Sequence, residues 1–394
     1  MTRLQITSLV ALCALSVSLS AQDPLPPPRP VPADHPLISR IAFGSCSTQN
    51  DPLPILKTVL EWEPELFIYL GDNIYGDTRD MQLLQQKYDR MAAKKEFISL
   101  RAAVPTIATW DDHDYGENDA GREFPFKAES KEIFLKFWNE PADSVRRSRE
   151  GIYTSYRFTD PTTRKVLQII LLDTRTFRDP PLRNPFSSWK NDYLPDTNPE
   201  KTLLGETQWT WLEQQLREPA DLRIIGSSIQ LAHEYNGWES WTNFPLELMK
   251  MVRLISTTRA NGVVFISGDV HWGELSVLKA PGCYPLYDLT ASGLNRDWEN
   301  VEPNRRRLQR LPFRNAGNRM VRTPDHSVPH PRHDRPSPSP PNRPAVRPVL
   351  LKIAPTGKRP RRISQRLSAR DFRSVRFQEN RNSSTTVSSG RPSL

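Results

Sequence analysis

Cysteine is scarce in this chain, with three residues in 394. One of them, Cys13, lies in an N-terminal apolar stretch, so Cys46 and Cys283 are the two left for the remainder. They could form one disulfide at most, which excludes a fold stapled by several bridges. A long spanning run is missing too. The most apolar stretch, L-Q-I-T-S-L-V-A-L-C-A-L-S-V-S-L-S-A, is rather short for a membrane helix and D-P-L-P-P-P-R-P follows it. From Arg305 to the end there is no Trp and no Tyr. A segment so poor in aromatics, and rich in Arg, Pro and Ser, cannot bury enough apolar surface to fold alone. Nor is the basic character general. The net charge of +9 and pI near 9.5 invite a nucleic-acid reading, but 22 basic and 4 acidic residues lie from Arg305 onward. The 32 basic and 41 acidic residues before it make the body acidic, so the overall pI says little about the body.

What is present organises the chain. Arg3, the apolar stretch and the small residues at Ser20-Ala21 read as a secretory signal over 1–21, predicting export to the periplasm or the exterior with no span left after cleavage. An uncleaved anchor is the competing reading, and lipid attachment at Cys13 is disfavoured by the bulk of Leu12. Residues 22–37 form a Pro-rich linker. From Arg40 a plan repeats: an apolar run, a polar cluster, then often an amphipathic helix. The runs R-I-A-F, E-L-F-I-Y-L, V-P-T-I-A-T, K-V-L-Q-I-I-L-L, L-R-I-I-G and G-V-V-F-I-S suit strands covered on both faces. Apolar spacing predicts helices over 80–91, 129–138 and 205–216, their aromatics serving the core. Strands alternating with helices mean an α/β domain, placed over 38–304. The tail at 305–394 is expected to be disordered.

Every cluster of Asp, His, Tyr or Cys follows an apolar run and none precedes one. In open α/β sheets ligands bind outside the carboxyl ends of the strands, so folding could gather these clusters on one rim. T-W-D-D-H-D-Y-G-E-N-D (Thr109 to Asp119) crowds five acidic residues where a buried strand ends. Buried carboxylates a few ångströms apart repel unless a cation neutralises them. Asp112 can ligate a cation, His113 can donate a proton, and Asp114 can hold the imidazole in one tautomer. Asp111, Glu117 and Asp119 are read as supporting or solvent-facing. G-D-N-I-Y offers Asp72 as a bridging carboxylate and Tyr75 as a hard phenolate donor, though a plain Asx turn explains it as well. In G-D-V-H, Asp269 and His271 would face the same side of an extended segment, as metal ligands can, though a capping aspartate and a surface histidine explain it as well.

Together these motifs resemble the metallophosphoesterase superfamily, and within it the alkaline phosphatase D (PhoD-like) family. F-G-S-C at Phe43 to Cys46, G-D-N-I-Y, W-D-D-H-D, L-D-T-R at Leu172 to Arg175 and G-D-V-H-W come in that family's order, over roughly Ile38 to Asn304. The resemblance implies a four-layer α/β/β/α sandwich and a binuclear centre. Cys46, Asp72, Tyr75 and His271 would hold a ferric ion. Asp72 would bridge to a second divalent ion, calcium in familiar members, which Asp112 and Asp269 also bind. His113 would protonate the leaving oxygen and Arg175 would clamp phosphate oxygens. Gln230 is a weaker candidate ligand, and His233 is divided between surface and site.

The implied activity is hydrolysis of a phosphate mono- or diester by a metal-activated hydroxide, with no specific nucleic-acid partner. A metal-bound thiolate at Cys46 argues against a disulfide to Cys283. Loops at 122–125 and 177–195 would shape the leaving-group side. Two departures stand out. The twin-arginine signal common in the family is missing, with Arg3 alone. P-N-R-R-R-L-Q-R-L-P passes abruptly into the Arg/Pro tail, which suggests a shifted frame or replaced C-terminus near Arg305 to Pro312 and lost edge strands. The rival readings are a non-catalytic metal-containing binder with an incomplete domain, and an anionic-polymer binder acting through the basic tail.

Overall fold

In the run R-I-A-F, Ile41 and Phe43 turn one way and Ala42 the other, the period-two alternation of a strand. Both faces are buried, so the strand has a layer on each side. The same holds along most of the domain. The computed structural model describes residue 29, residues 38–187, 192–233 and 237–296, and the backbone of Val349–Ile353 and Val375–Phe377. The signal reading at 1–21, nearly all of the 22–37 linker and most of the 305–394 tail lie outside the described residues.

The strands in chain order are β1 (Arg40–Gly44), β2 (Leu66–Leu70), β3 (Thr106–Thr109), β4 (Thr154–Thr159), β5 (Val166–Leu171), β6 (Leu182–Arg183), β7 (Tyr193–Leu194), β8 (Leu222–Ser227), β9 (Val263–Ser267), β10 (Gly273–Leu278), β11 (Leu286–Ala291), β12 (Val349–Ile353) and β13 (Val375–Phe377). The helices are α1 (Ile55–Glu61), α2 (Met81–Ala92), α3 (Lys95–Ala103), α4 (Asp112–Tyr115), α5 (Lys127–Phe137), α6 (Val145–Ser148), α7 (Gly205–Arg217) and α8 (Pro245–Thr257).

One sheet has the order β13-β12-β1-β2-β3, with β1, β2 and β3 parallel. The other has the order β10-β11-β9-β8-β5-β4, parallel through β11, β9, β8 and β5 and closed by antiparallel edges. Ile41, Phe43, Leu66, Ile68 and Leu70 of the first meet Leu167, Ile169, Ile224 and Ile266 of the second in one apolar layer. Outside the first sheet Phe67 and Tyr69 pack with Leu84 and Tyr88 of α2 and Phe134 of α5. Outside the second, Ile170 and Phe265 pack with Trp209 and Leu212 of α7 and Met251 of α8. The result is the expected α/β/β/α arrangement. The predicted helices correspond to α2, α5 and α7, and Asp80 caps α2 by accepting from the amides of Gln82 and Leu83. Helix α8 and strands β4, β10 and β11 were not anticipated.

The tail differs from expectation in two places. V-L-L-K-I of β12 pairs antiparallel with β1, and β13 pairs with β12. Four aliphatic residues among the five suit the strand conformation, and the open edge of β1 offers them unpaired backbone groups.

Candidate metal centre

The parallel strands deliver their clusters to one rim. Backbone exits from β1 and β11 meet there, Ser45 bridging Ser292 between the two sheets. Close approach needs glycine at Gly71, whose φ is +104° and where a methyl group would come within 2.5 Å of Asp111 Cβ. Cys46, Asp72, Asp269 and His271 stand in the left-handed region at φ of 58°, 49°, 69° and 62°. Such conformations concentrate at functional sites, where the surrounding fold enforces them.

Ligand-type atoms converge in overlapping sets. Those of Cys46, Asp72 and His271 lie within 4.8 Å of one another, and so do those of Asp72, Asp111, Asp112 and Asp269. Asp72 belongs to both, the position a bridging carboxylate would occupy. Cys46 Sγ is 3.3 Å from Asp72 Oδ2, and the Tyr75 hydroxyl is 3.0 Å from His271 Nε2 and 3.4 Å from Asp72 Oδ2. Cys46 and Cys283 are both free, so the alternative of a bridge between them is not realised.

Without added positive charge this cluster is electrostatically unfavourable. Burial pushes the Cys46 thiol up to about 11. Burial first, then Cys46, Asp112 and Asp111, raises the Asp72 carboxyl well above the usual range; burial with Asp111 and Asp112 does the same to Asp269. Asp112 is the exception: despite burial, the charges of His113 and Arg175 hold its carboxyl low. The buried oxygens Asp72 Oδ1, Asp111 Oδ2 and Asp112 Oδ1 have no hydrogen-bond partner, although such groups are normally satisfied. Carboxyl oxygens without hydrogen-bond partners, gathered within 4.8 Å of one another, fit a cation. The donors also divide by type. Thiol, imidazole, phenol and carboxyl gather on one side of Asp72, and carboxyls on the other, where a ring nitrogen of His113 also lies within 4.8 Å of Asp72 and Asp112 oxygens.

Around this centre several assignments shift. Asp114 was expected to hold the His113 imidazole. It instead accepts from the Asp111 amide at 2.7 Å, the Asp72 amide at 3.2 Å, the Tyr88 hydroxyl at 3.3 Å and the Asn73 side chain. It ties the exits of β2 and β3 together. The imidazole partner is Asp77, whose Oδ1 lies 2.7 Å from His113 Nδ1. Although burial opposes it, Asp112 and Asp77 together raise His113 to about 9. A sequence signal existed for Asp77, the second G-D pair in G-D-N-I-Y-G-D. Arg175, expected on phosphate, is fully buried with Nε 2.5 Å from Asp111 Oδ1 and Nη1 2.6 Å from Glu239 Oε2. Asp111 is therefore a buried ion-pair partner, in the supporting position and not solvent-facing. Glu239, which also lies 2.9 Å from Arg178, had no local signal, since its meaning comes from a partner 64 residues away.

Gln230 is buried but bonds Thr290 and Glu274, and His233 pairs with Glu274 at 3.2 Å; neither joins the ligand sets. Glu117 pairs with exposed Arg79. In the loops expected to shape the leaving-group side, Arg122 pairs with Asp179, and Tyr193 of β7 donates to Asp119 Oδ2 at 2.6 Å. Residues 188–191 lie outside the described residues.

The family model described as PhoD-like phosphatase matches residues 41–299. Alkaline phosphatase D of Bacillus subtilis (strain 168) is 26% identical over 271 residues, covering 58% of this chain and 45% of that protein. The chain thus spans about half the length of the curated relative it matches. A solved structure of PhoD is similar with a TM-score of 0.55 at 20% identity, over 67% of this chain and 58% of the other. A dimetal phosphatase from Danio rerio gives 0.43 at 14% identity, over 66% and 88%.

Proposed function

The chain belongs to the PhoD-like phosphatase family, and from that premise we propose that it is a metal-dependent phosphoric ester hydrolase acting on phosphate mono- or diesters. The observation that carries this reading is the convergence of Cys46, Asp72, Asp111, Asp112, Asp269 and His271 on one rim beside the His113–Asp77 pair. Cys46, Tyr75, His271 and Asp72 would hold an iron(III) ion, a choice favoured by the thiol and phenol donors. Asp72, Asp112 and Asp269 would hold a hard divalent ion such as calcium. When bound, such a pair neutralises charge on the phosphoryl oxygens and lowers the pKa of a coordinated water.

The chain's own residues do the rest. Asp77 occupies Nδ1 of His113, leaving Nε2 as the nitrogen that can give a proton to the departing alkoxide oxygen. The ring of Tyr75, 4.2 Å from that of His113, limits the swing of the imidazole. Asp114 keeps the Asp72 and Asp111 backbones in register, so the ligands do not have to be ordered when the ester arrives. Arg175 balances the charge of Asp111 and Glu239. The N-terminal apolar stretch supports an exported enzyme, and among the described residues no helix is long and apolar enough to cross a membrane.

Purified protein should hydrolyse p-nitrophenyl phosphate or its bis-ester, and a chelator should abolish the turnover. Full metal content with no turnover of either ester would refute the hydrolase reading.

A further inference from the structure

The centre has a closed side and an open one. Cys46, Asp72, Asp112 and Arg175 are buried, whereas Tyr75, His113 and His271 are partly exposed and mark the side from which an ester must arrive. A phosphate ester brings one to about two negative charges at neutral pH and several oxygens that accept hydrogen bonds. Arg175 is fully buried on the closed side, with Nε on Asp111, Nη1 on Glu239 and Nη2 3.9 Å from Asp112 Oδ1, so it does not reach the open side. Other cations near the opening are also tied. Lys87 donates to the Gly76 carbonyl at 2.5 Å, and Arg79 pairs with Glu117 at 2.9 Å.

Arg296 differs. It is exposed, and among the described residues it has no carboxylate partner. Its starting point is fixed by Asn295, which accepts from the Thr48 amide at 2.6 Å and donates to the carbonyls of Thr48, Asp51 and Pro52 at 3.0, 3.1 and 3.2 Å. From there the guanidinium reaches over the ring of Tyr75, 5.0 Å from its centroid. Tyr75 in turn contacts His113 and His271. A cation anchored on a ligand of the centre, on its open side and beside the proton donor, is placed to meet incoming negative charge.

On the reading that this is a phosphoester hydrolase, we propose that Arg296 is its substrate-recognition cation, binding an oxyanion of the ester as a two-pronged planar donor. The oxyanion belongs either to the scissile phosphoryl group or to a second anionic group on the leaving alcohol. Both would lie near Arg296, because the leaving oxygen must sit beside His113.

The test uses the full-length, metal-loaded chain with Arg296→Gln and Arg296→Lys, inorganic phosphate as competitive inhibitor, and p-nitrophenyl phosphate and an alkyl bisphosphate as substrates. Losing a charge-assisted hydrogen bond should raise the phosphate inhibition constant about tenfold in Arg296→Gln, with partial recovery in Arg296→Lys. Metal content should stay that of the parent. A raised KM confined to the bisphosphate, with phosphate inhibition unchanged, would also support the role and assign the oxyanion to the leaving group. Unchanged inhibition and unchanged KM for both esters in Arg296→Gln would overturn it. If the parent is metal-loaded yet inert, calorimetric binding of phosphate to parent and variant still decides the role of Arg296, independently of the hydrolase reading.

Discussion

At the residue scale, the centre depends on side chains whose partners determine their chemistry. On the proposed reading His113 would be the proton donor, and Asp77, 2.7 Å from its Nδ1, would be a positioning residue. Replacing Asp77 by Asn should lower kcat by about 10- to 100-fold with little change in KM, since the imidazole acts chiefly in the transition state. His113→Ala should cost more, on the order of 10²- to 10⁴-fold. Steady-state kinetics at saturating substrate distinguish the two; a purely raised KM in Asp77→Asn would reject the positioning role. A second residue pair bears on acid stability. Burial alone would raise Glu274, but His233, Trp272 and Ser276 outweigh it and lower the carboxyl from 4.5 to about 2. Because the folded value is depressed, its contribution is present above about pH 4.5 and is lost as pH falls toward 2. Glu274→Gln should therefore flatten the loss of urea stability between about pH 4.5 and pH 2, a window set by that shift. Parallel curves for parent and variant would remove the effect.

At the element scale, the turn after β2 is the tightest constraint. Gly71→Ala must place a methyl group against Asp111 in a conformation that L-residues avoid. A loss of about 2 kcal/mol or more is expected from denaturant unfolding, with metal content falling in step because Asp72 follows directly. At Gly268, before Asp269, a methyl group would come within 2.6 Å of Ser45 Cβ. Strand β1 presents a different liability. Phe43 is fully buried between the sheets, and its truncation to Ala should cost about 3–5 kcal/mol.

At the scale of the whole molecule, two sheets are joined at the rim where the ligands gather, so metal and fold should be coupled. Removing metal by chelation should lower the melting temperature, because ions that bind only the folded state stabilise it by mass action. An unchanged melting temperature, with metal loss verified by mass spectrometry, would show that the carboxyl cluster tolerates emptiness. The basic tail has a structural part as well. Ending the chain at Asn304 removes β12 and reopens the edge of β1. Lower urea stability and increased self-association by light scattering are expected.

Cys46 is a candidate ligand through the family resemblance, whereas the sequence by itself determined the α/β class, three of the helices, the polar clusters that follow the strands and the metal-ligand candidates Asp72, Asp112, Asp269 and His271. It could do so because apolar period and the position of polar clusters after strands are local signals. Only the tertiary structure decided who pairs with whom. Asp77 rather than Asp114 holds His113, since the turns after β2 and β3 bring Asp77 to the imidazole while Asp114 faces inward to backbone amides. Arg175 is neutralised by Asp111 and a distant Glu239, and β12 seals β1 from a segment whose composition argues against folding alone. Hydrogen bonds and ion pairs between remote residues depend on close packing in three dimensions, and that information is not carried by spacing along the chain.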